Sequence, residues 1–418
     1  MKSVSKSLVL FLAFLTIGVS VVGCLKSTRP GLPKPVQNAL NHAALNQPSL
    51  LKSLLLYENP DDSIKRKALY FLIEQLPEHY TVYVSFKDST GKPIDYDPQK
   101  FASDDEIKNY LDSLALIRGP LEYEADSFKM DLQEISYTIL ANTVDLSFEA
   151  WRNNPWSLQY SFDEYCHYIL PYRAANEPLI NFRAHFINLY RDSIKGMEDP
   201  KKVASHLNRI INEIVVFDDR FHRNPNAQRF DELEHSRTGN SFDLALYKTY
   251  ALRSLGIGAA MTYCPYFSDS TGGVFLASVI LPGGKQKLLP NDTRLNPFPY
   301  NKTPKIYQRS FTRVPESLYS IKNSSDFTPP FLGHFQHTDI TSDFLPTRDT
   351  MLQVNDENKE KYYYLAVYND NEWKAIDWAQ PDTLGNLKFS QLGVGQRYCL
   401  AKKSNGEIIP LASPFTIK

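Results

Sequence analysis

The stretch from Arg237 to Ala260 constrains this chain more than any other part of it. Asn240 and Ser241 offer a helix N-cap, Asp243 puts a negative charge in the first turn, and Leu244, Tyr247, Ala251 and Leu255 recur at helical spacing. Gly256 then supplies a left-handed stop. Apolar runs over Ala259-Cys264 and Val274-Leu281 read as strands, and Pro282-Gly283-Gly284 turns into a third over Lys285-Leu289. Helix followed by adjacent strands predicts an α+β class.

The order Gly239-Asn240-Ser241-Phe242-Asp243, then a helix ending Leu255-Gly256-Ile257, then a strand, resembles the core of the transglutaminase-like (papain-related) superfamily. There a Gly-x-Cys-x-Asp segment opens the helix. The resemblance implies a helix packed by its N-terminus on an antiparallel sheet, with a catalytic Cys, a His on the next strand and a third polar member beyond. Here Ser241 occupies the Cys position. A thiol at a helix N-terminus is held toward thiolate by the dipole, whereas a serine hydroxyl needs an adjacent base.

That base is missing from the expected segment. Ser270-Leu281 contains no His, and the alignment puts Val274 in the His position, Leu276 in the usual Trp position and Ala277 in the Asn position. Asp292 in Pro290-Asn291-Asp292-Thr293 remains as a third member, but a carboxylate with no imidazole to orient cannot run acyl transfer by this route. His235, six residues before Ser241, is the imidazole nearest in sequence that could rescue a serine mechanism.

The chain start carries a second signal. Lys2 and Lys6 precede an apolar run from Leu8 to Val22, and Val21-Val22-Gly23-Cys24 resembles a lipobox. This implies a signal peptide over 1–23, lipid attachment at Cys24 and a Pro-containing tether over 24–37. Leu25 after the Cys implies sorting to the outer membrane or cell surface rather than the inner membrane. Losing Lys2 and Lys6 from 46 basic residues against 47 acidic leaves a slightly acidic chain, which argues against nucleic acid as a partner. Cys166, Cys264 and Cys399 then remain, enough for one disulfide at most and too few for a zinc site. No cofactor or metal is expected. His334, His337 and Asp339 have ligand-like spacing but no further His or Cys in register.

A helical region is expected over 38–150. Segments 39–46, 50–57 and 65–77 are amphipathic, with Pro48, Pro60 and Pro77 as breakers, and further helices are read over 104–116 and 128–153. The phrase Phe71-Leu72-Ile73-Glu74-Gln75-Leu76-Pro77 resembles one in secreted bacterial lipoproteins of the same superfamily. The core is assigned to 151–304. Its lead-in Tyr168-Ile169-Leu170-Pro171-Tyr172-Arg173, with Glu177-Pro178-Leu179, also resembles the superfamily. Trp156, Tyr172 and Arg173 could line the cleft and grip a polar ligand, with Tyr266 contributing from the overhanging 265–273 loop. Equally, the aromatics could be core, with Arg173 paired to Glu177 or a carbonyl. Short strands from 305 to 418, among them Tyr362-Tyr368, Trp373-Trp378 and a hairpin at Asn405-Gly406, read as a β-sandwich-like domain.

These readings lead to a membrane-attached envelope lipoprotein with a degenerate transglutaminase-like core that binds a peptide or glycan. The competing expectations are a serine-dependent amidase or peptidase using Ser241, His235 and Asp292, and a structural partner whose cleft is filled by Val274, Phe275 and Leu276.

Overall fold

The computed structural model describes residues 31–224, 226–292, 296–334, 336–354, 360–404 and 406–418. The expected signal segment, the expected lipid-attachment residue Cys24 and Asn405 therefore lie outside the described residues. The chain is α+β, with antiparallel sheets and several helices.

Three proline-punctuated helices come first: α1 (Lys34–His42), α2 (Gln47–Leu55) and α3 (Ser63–Gln75). Their apolar stripes, including Leu40, Leu50, Leu69 and Leu72, close over one core with Leu140, Val144 and Trp151 from a later helix. Strand β1 (Tyr80–Lys87) follows, then α4 (Asp104–Arg118), β2 (Glu122–Met130) and α5 (Tyr137–Asn153). The helix expected from Phe128 is thus corrected: residues up to Met130 extend β2, which pairs antiparallel with β1 as a two-stranded ribbon. Ser136 caps α5 by accepting from the Ile139 N–H, so the helix starts where a side-chain oxygen can replace the missing turn.

The central unit comprises α6 (Arg183–Tyr190), α7 (Pro200–Ile214), α8 (Phe230–Ser236), α9 (Ser241–Ser254), β3 (Ala259–Cys264), β4 (Val274–Ile280) and β5 (Gln286–Leu289). Helix α9 is buried from Asp243 to Ser254 on every side, packed on the sheet below and flanked by α5, α6 and α7. Gly256 ends it with φ +77°, and a Cβ there would lie 2.6 Å from the Ala150 carbonyl oxygen. Only glycine fits that close approach.

Two further strands, β6 (Tyr307–Arg309) and β7 (His337–Asp339), complete a five-stranded sheet in the order β5-β4-β3-β6-β7. The core sheet therefore reaches past residue 304, into the region expected to begin the C-terminal domain. Beyond it lie β8 (Thr347–Gln353), β9 (Tyr363–Asn369), β10 (Glu372–Ala379), β11 (Asn386–Gly393), β12 (Arg397–Ser404) and β13 (Glu407–Pro410). Strands β10-β9-β12-β13 form one sheet and β8 pairs with β11, and the two enclose a core of Leu365, Val367, Ile376, Leu387, Phe389 and Tyr398. A buried lysine ties this unit to the central sheet. Lys305 bonds the carboxylates of Asp339 and Asp377 and the Ser390 carbonyl.

Candidate functional site

At the start of α9 the sequence builds a closed cap. Asn240 accepts the N–H groups of Phe242 and Asp243 at 2.9 and 3.0 Å, and the Asp243 carboxylate accepts the Asn240 N–H at 3.0 Å. Asp243 also receives the Gln228 backbone N–H at 2.9 Å and its side-chain amide at 3.2 Å. Burial pushes the Asp243 carboxyl up to about 6, against the pull of those donors. Asn240, rather than Ser241, is the capping residue, which leaves the Ser241 hydroxyl available at the first helical position.

That hydroxyl accepts the backbone N–H of Phe275 at 3.2 Å. The partner lies one residue beyond Val274 on the strand. Successive side chains alternate along a strand, and β4 turns Val274 and Leu276 away from α9, into a cluster with Cys264, Phe298, Ile306 and Ile340. Phe275 is the residue facing Ser241, its ring edge-on to Phe242 with centroids 5.1 Å apart.

Asn291, next to the expected Asp292, reaches the strand: its side-chain amide donates to the Phe275 carbonyl at 3.2 Å. Its oxygen accepts from Lys248 Nζ at 3.0 Å, and Lys248 also donates to the Pro290 carbonyl at 3.1 Å. Lys248 is fully buried, and burial draws its ammonium down to about 7. A continuous chain of bonds thus runs from Ser241 through the Phe275 backbone and Asn291 to the middle of α9.

Ser241 opens onto a cleft of about 640 Å³. Asn240, Ser241 and Phe242 form one wall, Gly272, Gly273 and Phe275 another, and Asn176, Glu177 and Pro178 the inner side. The ribbon overhangs it with Tyr80, Val82, Val84 and Phe128, and His222, Asn224, Asn226 and His334 close the ends. Gly273 must lack a side chain, because a Cβ would sit 2.2 Å from the Cys264 carbonyl oxygen. Among the described residues Glu177 is the one carboxylate in the lining, and it is consumed by the Ala174 and Ala175 N–H groups and the Tyr250 hydroxyl.

His235 does not reach this cleft. It is exposed on the last turn of α8 and faces a separate surface cavity with Asp97, Gln99 and Phe221. The two imidazoles that do line the cleft are held elsewhere: His222 Nδ1 contacts the Asp219 carbonyl at 2.7 Å, and His334 Nδ1 contacts the Tyr80 hydroxyl at 3.4 Å. Neither bonds Ser241.

The other sequence candidates are placed in the packing. Trp156 is buried with its ring N–H on the Leu255 carbonyl at 2.8 Å. Tyr172 donates to Asp131 at 2.7 Å. Arg173 is buried, paired with Asp131 through Nε at 2.6 Å and bonded to the Glu177 carbonyl at 2.7 Å. Asp131 is the partner that sequence reasoning missed. Tyr266 is half-buried against Phe331, outside the cleft lining. Cys166, Cys264 and Cys399 are buried free thiols, and burial raises each of them away from the thiolate form.

The cleft residues that went unread are those of the ribbon and of Asn224 and Asn226. Tyr80-Thr81-Val82-Tyr83-Val84-Ser85-Phe86 does alternate in the strand manner, and that signal could have located β1. Among the described residues, no group of three or more His, Cys, Asp or Glu could hold a metal, and no helix is long and apolar enough to cross a membrane. No protein-family model, no curated protein and no solved structure matches this chain.

Proposed function

We propose that this is a lipid-anchored protein of the outer membrane or cell surface, attached through Cys24, whose transglutaminase-like cleft binds a peptide or glycan without cutting it. One observation supports the reading: the partner of the Ser241 hydroxyl is a backbone N–H, and among the described residues no imidazole or carboxylate bonds it, while the cleft around it stays open. A serine without a base is a poor nucleophile at neutral pH. Neutral amides and aromatic rings in the lining suit a polar, uncharged backbone or ring system. Of the three residues of the filled-cleft alternative, Val274 and Leu276 face the opposite side of the sheet, while Phe275 forms part of the cleft wall.

The experiment is to titrate the full chain with panels of peptides and oligosaccharides while monitoring hydrolysis. Saturable binding that is lost in Ser241→Tyr, with no cleavage, is the expected result. Cleavage that disappears in Ser241→Ala would establish the serine amidase or peptidase instead.

A further inference from the structure

Much of the main chain around the cleft is already in use. On β1 the outward groups of Tyr80, Val84 and Phe86 are bonded within the chain: Arg173 donates to the Tyr80 carbonyl, the Asn226 amide takes both backbone groups of Val84, and the Ile94 N–H donates to the Phe86 carbonyl. On the opposite wall the Gly272 N–H donates to Asp370, and its carbonyl accepts from Phe267 and Asn369. The Phe275 N–H donates to Ser241 and its carbonyl accepts from Asn291. An extended peptide draws its sequence-independent affinity from a row of free backbone groups. Among the described residues neither wall offers such a row.

What stays open is uncharged side chain. The side-chain amides of Asn176 and Asn224 line the cleft and make no hydrogen bond among the described residues. The Ser241 hydroxyl accepts from Phe275, and its own proton has no acceptor there. An amide both donates and accepts, and the hydroxyl can still donate. No lysine or arginine lines the cleft among the described residues, and the Glu177 carboxylate is taken up as described above. Burial and the charge of Arg309 draw His334 down to about 4, so it is neutral at pH 7, and His222 faces the Asp104 carboxylate at 3.2 Å. A charged ligand entering here would give up hydration without meeting a free counter-charge.

The walls themselves are apolar. Tyr80, Val82 and Val84 share the cleft face of β1 by the two-residue alternation of a strand, and Phe128 stands directly opposite Val82 on β2. Phe128 is 64% exposed, its ring 6.0 Å from that of Tyr80, so an aromatic face is offered where packing does not use it. Phe242 and Phe275 line the other side. Apolar walls with uncharged donors and acceptors between them match a pyranose, whose C–H faces lie well on the electron-rich face of a ring and whose hydroxyls each donate and accept.

We propose that the ligand of this cleft is an uncharged oligosaccharide, stacked by a sugar face on Phe128 and bonded at its hydroxyls by Asn176, Asn224 and Ser241. This rests on the binding reading above and narrows it from peptide or glycan to neutral glycan. Phe128 supplies affinity through contact area, while the amides and the serine hydroxyl select the arrangement of hydroxyls.

The test is calorimetric titration of the full chain with uncharged tetrasaccharides (chitotetraose, cellotetraose, maltotetraose and mannotetraose), with tetragalacturonate as a charged counterpart and with a pool of terminally blocked random octapeptides. At least one uncharged tetrasaccharide is expected to bind, and more tightly than tetragalacturonate or the peptides. Phe128→Ala should weaken that binding about tenfold and Phe128→Trp should retain it; the ring is exposed, so neither change disturbs the core. Asn176→Ala should weaken it about threefold. Binding of the peptide pool with no saccharide bound overturns the inference while leaving a peptide-binding cleft intact. Tetragalacturonate bound as tightly as the uncharged sugars, or saccharide binding undiminished in Phe128→Ala, overturns it as well. No binding of any probe defeats the binding reading itself.

Discussion

Replacing Lys248 by Met tests whether a buried cation beneath the cleft sets the pH response of stability. The folded-state ammonium titrates near about 7, lowered by burial from the ordinary 10.5. Between those values the unfolded chain binds more protons than the folded one, so stability rises with pH, by up to about 1.4 kcal/mol per pH unit. Below pH 7 the whole desolvation penalty is present, on the order of 5 kcal/mol from the gap between the two values, and it disappears as pH climbs toward 10.5. Lys248→Met removes that penalty but leaves the Asn291 oxygen without its donor, a cost of about 1–3 kcal/mol. The Pro290 carbonyl suffers less, since the side-chain amides of Asn208 and Asn212 also donate to it, at 3.3 and 3.2 Å. Denaturant unfolding from about pH 6.5 to 9.5 should therefore give a rising curve for the natural protein and a flatter one for Lys248→Met. The variant should be the more stable at the acid end and the less stable at the alkaline end. Parallel curves that never cross would show that Lys248 is not the titrating group and would refute the reasoning.

Two further substitutions probe the supports of the site. Asn240→Ala removes the oxygen that accepts the Phe242 and Asp243 N–H groups and should cost about 1 kcal/mol, within a range of about 0.5–2, in chemical denaturation; an unchanged midpoint would mean that the Asp243 carboxylate alone closes the cap. Lys305→Ala leaves Asp339 and Asp377 facing each other without their shared cation and should destabilise by about 3–5 kcal/mol, read as a lowered Tm. A change under about 1 kcal/mol would place that triad among exposed pairs of little worth.

The helix α9 was legible because its local signals agree: a polar cap, an acidic first turn, apolar spacing and a glycine stop all fall within one short stretch. The strands after it were legible for the same reason, as was the α+β class. The face presented by β4 was not. A strand's side chains alternate, so a one-residue error in the entry point exchanges both faces, and the entry at Gly272-Gly273 is fixed by the close approach of Gly273 to the Cys264 and Pro265 carbonyls, a tertiary contact with no local signature. This is why the sequence did not show that Phe275, rather than Val274, faces the start of α9. For Arg173 the alternative of a buried side chain bonded to a carbonyl is the one found, but its carboxylate partner was not legible, because Asp131 lies 42 positions away and joins it only through the fold.

Asp243, Lys248 and Arg253 sit in a helix buried on all sides, and each is answered locally: Asp243 by the cap and Gln228, Lys248 by Pro290 and Asn291, Arg253 by the carbonyls of Ala259 and Arg173. Because a buried polar group left unsatisfied costs more than one left out altogether, these three contacts restrict where the 290–291 turn, the first strand after α9 and the Arg173 loop can sit relative to the helix. Asn291 and Arg173 are the same residues that hold the Phe275 carbonyl and the Glu177 loop at the cleft. The polar residues within the helix therefore fix the floor of the cleft, whereas the overhanging ribbon, with most of β2 exposed, is held by far fewer buried contacts. A floor tied together by buried polar contacts under a more exposed ribbon separates the stability of the ribbon from that of the helix that orients Ser241.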